Sequence, residues 1–259
     1  MRMKMNSLRM LRCLFAALIS TAVAAHAEMN PGSAVVRTVT GSASYLDELG
    51  FSHPLTVGTV LKEGHTIKTG VDSSVDLFLD QNGSDVGLDA GSILRFEKLA
   101  YEKTALGTKI DTRLDLKAGQ LSGHVNKLIA GSRYEVKMPH GVATVRGTTF
   151  FIDAQQGTVH VTSGNVTVTV SLTVGAETFT KTVQVHAGES LFIPKTATSG
   201  QDFENHLVAV STPPGVKFNK LTRYDRVGTG KVAETFTGMT NRTGTIKIKK
   251  PPASIVVSP

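Results

Sequence analysis

The chain has 259 residues, 40% of them hydrophobic, with 28 Lys and Arg against 21 Asp and Glu, a single Cys and no Trp. That length can bury a sizeable core, and one Cys rules out a small domain stapled by disulfides. The basic excess is uneven: residues 28–211 hold 15 basic and 19 acidic side chains, whereas 212–259 hold 9 and 2. Nucleic acid is therefore not an expected partner, while the basic end suits an anionic surface, a cell wall or the acidic body itself.

In chain order, Arg2, Lys4, Arg9 and Arg12 precede an apolar run from Cys13 to Ala25, and Ala25-His26-Ala27 places small residues where a signal peptidase reads. This pattern predicts a secretory signal over 1–27, cleaved after Ala27; the run is shorter than the ~20 residues a membrane span needs. The mature chain is then exported, to the periplasm or beyond, and has no Cys.

From Ala34 onward Val, Thr, Ile and Phe alternate with polar residues, and Gly, Asn and Asp punctuate the runs. Alternation with a period of two marks half-buried strands, so the expectation is an all-β domain over 34–195. Leu99–Leu106 comes nearest to a helix and reads equally as a loop or hairpin arm. Val75–Leu79 and Asp85–Leu88 flank Gln81-Asn82-Gly83, a strong hairpin signal. Val166–Val174 and Phe179–Val185 flank Gly175-Ala176-Glu177 as a second, longer hairpin.

An apolar residue, two further residues and a Gly recur before strand starts, at Gly64, Gly91, Gly119, Gly141, Gly164 and Gly188, with a shortened form at Gly41. The successive spacings are 23, 27, 28, 22, 23 and 24 residues. One turn per unit at positive φ would explain them. The repeat predicts stacked short strands, β-solenoid-like, with a β-sandwich or jelly roll as the alternative. Beyond Pro194 the pattern loosens, and 196–259 reads as a basic, turn-rich tail.

Ser132–Asp153 is the best-marked stretch. Tyr134, Val136 and Met138 alternate with charged neighbours, Pro139-His140-Gly141 turns the chain, and a β-branched and aromatic run reaches Ile152, interrupted by Gly147. A Gly there fits a strand that bends or meets another backbone closely.

These residues resemble the FecR-type domain family. Phe78–Ser92 resembles its opening hairpin, Leu114–Gly119 its central strand, and Val159–Val166 a later strand pair. Its best-marked motif is matched by Pro139, Gly141, Val145, Arg146, Gly147, Thr148 and Phe150. Gly188-Glu189 resembles its closing turn. The resemblance, over about 57–193, implies an exported, all-β, non-enzymatic domain. Its best-known members are single-span regulators relaying an iron-uptake signal from an outer-membrane receptor to a cytoplasmic sigma factor. Here no cytoplasmic segment precedes the apolar run, so a free-standing envelope module is expected. Where the regulators carry an aromatic-rich strand, this chain has Leu121-Ser-Gly-His-Val125.

Nothing in the residues marks catalysis, a cofactor or a metal. His53, His65, His124, His140, His160, His186 and His206 lack the i, i+4 spacing of a helical zinc site. Asp80, Asn82 and Ser84 mimic a calcium loop, but Asp85 stands where its Gly belongs and Gly91 where its Glu belongs. Asp72, Asp76, Asp80, Asp85 and Asp89 form an acidic run. No nucleophile elbow or phosphate loop occurs. Arg146 is expected either to pair with a carboxylate on the neighbouring coil or to lie exposed along the sheet.

The reading is thus a non-enzymatic exported binding or scaffold module whose partner is a protein or envelope component. The alternative is a periplasmic sensor in a sigma-factor or iron-uptake type system with a separate membrane partner.

Overall fold

The computed structural model describes residues 29–80, 83–196, 199–212, 222–224 and 231–233. The expected signal over 1–27, Gln81-Asn82 of the first hairpin and most of the expected tail lie outside them. Strands β1 (Asn30–Pro31), β2 (Ala34–Thr40), β3 (Ala43–Leu46), β4 (Ser52–Pro54), β5 (Val60–Leu61) and β6 (Thr66–Thr69) are short. They are followed by β7 (Ser74–Leu79), β8 (Ser84–Leu88), β9 (Ile93–Thr104), β10 (Gly107–Ala118), β11 (Gln120–His124), β12 (Arg133–Met138) and β13 (Gly141–Val145). Next come β14 (Thr149–Asp153), β15 (Thr158–Ser163), β16 (Asn165–Val174), β17 (Glu177–His186) and β18 (Glu189–Phe192). Helix α1 (Gly200–His206) and β19 (Ala209–Ser211) close the body, and β20 (Thr222–Tyr224) pairs with β21 (Lys231–Ala233) as a two-stranded sheet of their own.

The strands form two open sheets facing each other. The first runs β17-β16-β13-β12-β10-β9-β6-β3-β4, with β1 on β9; the second runs β19-β18-β15-β14-β11-β8-β7-β2-β5. The chain is thus all-β, a single domain of many short strands. It advances as stacked coils, as the repeat suggests, yet its coils make two walls of a sandwich. Pairing is antiparallel apart from β10 with β12. The expected hairpins are β7–β8 and β16–β17, and Leu99–Leu106 belongs to the β9–β10 hairpin.

Alternation explains which side chains fill the space between the walls. On β12, Tyr134, Val136 and Met138 point in while Arg133, Glu135 and Lys137 point out. They join Phe96, Leu114, Leu116, Val86, Leu88, Leu121, Phe150, Ile152 and Val168 in one continuous core. Each such side chain, fully withdrawn from water, contributes about 1.5–3 kcal/mol. Gly123 lies opposite Phe150 in the β11–β14 register, and the Phe150 ring fills the space a Cβ would take. The aromatic missing from Leu121–Val125 is therefore supplied by the paired strand.

Strand pairing continues outside the expected span of 34–195 at both ends. Asn30–Pro31 pairs with β9, and β19 extends the second sheet. Phe203 and Leu207, four apart around α1, are fully buried. Ser199 caps that helix by accepting from the Asp202 N–H.

The repeat glycines are of two kinds. Gly64, Gly91 and Gly164 lie where the chain leaves the second sheet for the first, whereas Gly119 and Gly188 lie where it returns. All five have positive φ, between 67° and 89°. Gly141 does not: it sits in the β12–β13 hairpin within one sheet. It is small because the backbone of β16 passes close by; a Cβ would stand 2.6 Å from the Thr169 carbonyl. The sheet crossing in this region is made by Gly147, at φ 84°.

These corners are stitched to one another by small hydroxyls. Ser92, wholly buried, donates from Oγ to the Gln120 carbonyl and accepts from the Gln120 N–H, both at 3.0 Å. Its own N–H donates to Thr69 Oγ1 at 2.8 Å. Thr148 Oγ1 donates to the Asn165 carbonyl at 2.8 Å, and the Thr148 carbonyl accepts from Val125. Ser42 N–H donates to Ser73 Oγ at 2.9 Å.

Gly119 and Gly188 share the same strained φ but differ in surroundings: a Cβ at Gly119 would strike the Ser92 backbone, while Gly188 faces open space. Gly188→Ala is expected to cost only the left-handed penalty, about 1–2 kcal/mol. Gly119→Ala should cost roughly 3 kcal/mol or more, because backbone must also move. Chemical denaturation of the two variants checks this; equal losses would mean the close corner contact is unimportant.

Candidate functional site

The two outer faces are chemically different. On the first sheet, charges alternate across strands: Asp111 is in register with Arg133, Arg113 with Glu135, and Asp115 with Lys137. Arg113 grips Asp111 through two bonds of 3.0 and 2.7 Å, and Arg133 meets Glu135 at 2.7 Å. The Glu135 hydrogen bond raises the Arg133 pKa, and Glu97 does the same for Lys137. The Arg and Lys partners are solvent-exposed over half-buried carboxylates, so each pair is worth about 0–1 kcal/mol and keeps the face wet. Farther along, the face turns to hydroxyls: Thr169–Thr182, Ser171–Thr180 and Thr173–Thr178 bond across β16 and β17.

On the second sheet, one outward row crosses eight strands: Thr38, Asp76, Gly87, Ser122, Phe151, His160, Ser190 and Val210 are successive register partners. A neighbouring row runs Phe78, Asp85, His124, Thr149. Although these positions face away from the core, Phe78, Asp85, Ser122, Phe151, Asp153, Thr158, His160 and Ser190 are all buried. Phe78 and Phe151 lie outside the inter-sheet core. Arg37 stacks over the Phe78 ring at 4.7 Å, and His124 Nδ1 meets Thr149 Oγ1 at 2.8 Å.

His160 is the best-formed polar cluster on this face. Its Nδ1 lies 3.0 Å from both Ser190 Oγ and Thr212 Oγ1, which are themselves 2.9 Å apart. Burial pushes its pKa down to about 4, against a backbone hydrogen bond at Glu189 that favours the charged form. The Ser–His contact superficially resembles a nucleophile and its base, but both residues are buried, with Ser190 3% and His160 5% exposed. Substrate has no access to the pair, and a nucleophile must be reachable to act.

At the opposite end of the sandwich, Tyr45 is stacked between His53 and His65, at 5.1 and 5.3 Å. His53 holds Asp47 at 2.8 Å, which lowers the Asp47 pKa, and partial burial lowers that of His65. Around this stack Leu49, Phe51, Val57 and Val60 are exposed beside the edge strands β4 and β5.

The sequence-marked residues do not converge on a site. Pro139 and Arg146 are exposed, Val145, Thr148 and Phe150 are buried, and a Cβ on Gly147 would stand 2.9 Å from the Lys127 Cα. Among the described residues no carboxylate pairs with Arg146, so of its two expected states it takes the exposed one. The acidic run spreads along β7, β8 and their turns, and among the described residues no cluster of His, Cys, Asp or Glu could hold a metal. Sequence reasoning missed the second sheet's buried rows, since polar residues at outward positions read as solvent-facing.

Residues 65–167 match the family model described as FecR protein. The chain therefore carries a FecR-type domain, from the start of β6 into β16. Two crystal structures of a candidate anti-sigma factor from Parabacteroides distasonis are also similar, at 17% and 18% identity and TM-scores of 0.38 and 0.39. Each comparison takes in 51% of this chain and 55% of the other, so the chain spans about half the length of those proteins. No curated protein matches the chain. Among the described residues no helix is long and apolar enough to cross a membrane.

The His160 cluster generates a pH dependence. Its folded pKa of about 4 lies below the ordinary value of 6.5, so between these the unfolded chain binds the additional proton. Stability is then full above about pH 6.5 and falls as pH drops toward about 4. In His160→Gln that part of the slope should vanish from thermal melts; an unchanged slope would assign the acid sensitivity to other groups.

Proposed function

We propose that the protein is a non-enzymatic regulator of cell-envelope signalling, exported by its N-terminal signal and acting by binding a protein partner. The observation carrying this reading is the FecR-type match over 65–167, which takes in strands of both walls. Members of that family act as envelope regulators, so the match supports the sensor reading over a passive scaffold. The occluded Ser190–His160 pair and the exposed ion ladders likewise favour recognition over chemistry.

The partner surface best suited to this role is the end formed by β4 and β5. Edge strands there present unpaired backbone groups, and Phe51 and Val57 are each 64% exposed. Neither end of the sandwich lies wholly within the matched span, which suits a shared body with a chain-specific contact.

The test is genetic. Loss of the protein should shift transcripts of one alternative sigma factor, with wild type restoring them and Phe51→Ser/Val57→Ser folding normally without restoring them. Transcripts unchanged by loss of the protein would overturn the regulatory reading. Full restoration by the double variant would overturn the choice of surface.

A further inference from the structure

Among the described residues the two walls end in four edge strands, β17 and β4 of the first sheet, β19 and β5 of the second. β4 and β19 are three residues long, β5 is two, and β4 ends in Pro54. Such edges offer little for a long strand to pair with. β17 is different: Glu177–His186 is ten residues long and contains neither Pro nor Gly. A strand of that length with one open side is a template for another.

The ladder fixes which backbone groups face outward. Ser171, opposite Thr180 in the β16–β17 register, donates its N–H to the His140 carbonyl on the β13 side. Antiparallel ladders alternate, so the N–H and C=O groups of Thr178, Thr180, Thr182 and Gln184 point away from β16. The next in this series is already engaged, since the His186 N–H donates to Glu189 Oε2 at 2.8 Å. Side chains at these even positions are exposed, while Phe179, Lys181 and Val183 are half-buried on the inner side. Helix α1 meets β17 on that inner side: Gly200 packs on the Phe179 ring, and Lys181 Nζ donates to the Glu204 carbonyl at 2.7 Å.

We infer that β17 is the interface of a homodimer, in which the first sheets of two copies join edge to edge about Thr180. The occupant is a second copy because the strand is complementary to itself. Its outward residues Thr178, Thr180 and Thr182 read the same in both directions. Laid antiparallel with Thr180 on the two-fold axis, Thr180 opposes Thr180 and Thr178 opposes Thr182. These pairs lengthen the hydroxyl ladder that β17 already forms with β16, and Thr–Thr pairs across strands are favourable. On the inner side Glu177 of each copy falls diagonal to Lys181 of the other, an opposite-charge contact made twice. A register centred on Lys181 sets that charge against itself, and one centred on Thr182 calls on the engaged His186 N–H. The dimer leaves the β4–β5 end of each copy free, so it presents two such ends. The inference concerns a different edge from the proposed partner surface and stands without the regulatory reading.

The test is sedimentation of the full chain over a concentration series, which should rise to twice the monomer mass. Thr180→Lys and Thr180→Glu each set like charges on the axis and should raise the dissociation constant by about tenfold or more. Their equimolar mixture should dimerise like wild type, which also shows that both variants fold. Zero-length carbodiimide coupling of mixed isotope-labelled and unlabelled protein should join Glu177 of one chain to Lys181 of another; within one strand the two lie about 13 Å apart. A wild-type chain that stays monomeric, variants that dimerise as tightly as wild type, or a mixture no better than its components would each overturn the inference. So would Glu177–Lys181 coupling confined to single chains.

Discussion

The structure depends on the corner where the chain changes sheets. A sandwich whose strands alternate between two walls must cross a gap of about 10 Å repeatedly without leaving buried backbone groups unpaired. Here the crossings combine a residue at positive φ with a small hydroxyl on an adjoining coil. Ser92 between Thr69 and Gln120, and Thr148 between Val125 and Asn165, satisfy backbone groups that neither sheet reaches. Because each hydroxyl bridges different coils, a corner fixes its neighbours as well as itself. The apolar core supplies most of the driving force, but it is not directional, and the corners set which strand follows which.

This arrangement leaves the two outer faces free to diverge. The first sheet carries exposed ion pairs of small individual worth, giving way to a hydroxyl ladder, and it is suited to water. The second sheet carries rings, carboxylates and a histidine with a pKa near 4, all withdrawn from solvent. Desolvation decides the difference. The same Asp that is nearly cost-free on an exposed strand is expensive once covered.

Much of the fold was legible in the sequence. Period-two alternation placed Tyr134, Val136 and Met138 inward, and turn chemistry located the β7–β8 and β16–β17 hairpins. The FecR-type motifs marked the family. Which wall receives each strand was not legible, because strands of both walls alternate alike. Gly141, three residues after Met138, fits the repeat spacing, while Gly147, two after Val145, makes the crossing, because φ and not spacing marks a corner. Helix α1, beyond the expected boundary at 195, was not legible because it has seven residues with Phe203 as its one apolar side chain, Leu207 following as the cap. No site could be read, since the polar rows of the second sheet assemble from residues tens of positions apart.

The account treats the FecR-type body as one cooperative unit, in which both walls rise or fall together because the corners join them. A stack of independent coils would behave differently, losing structure progressively from an end. Native-state hydrogen exchange along a denaturant series measures this directly. The account expects the core amides of β8, β10, β11, β12 and β14 to share one opening free energy and one denaturant dependence. Separate values falling coil by coil toward either end would contradict it.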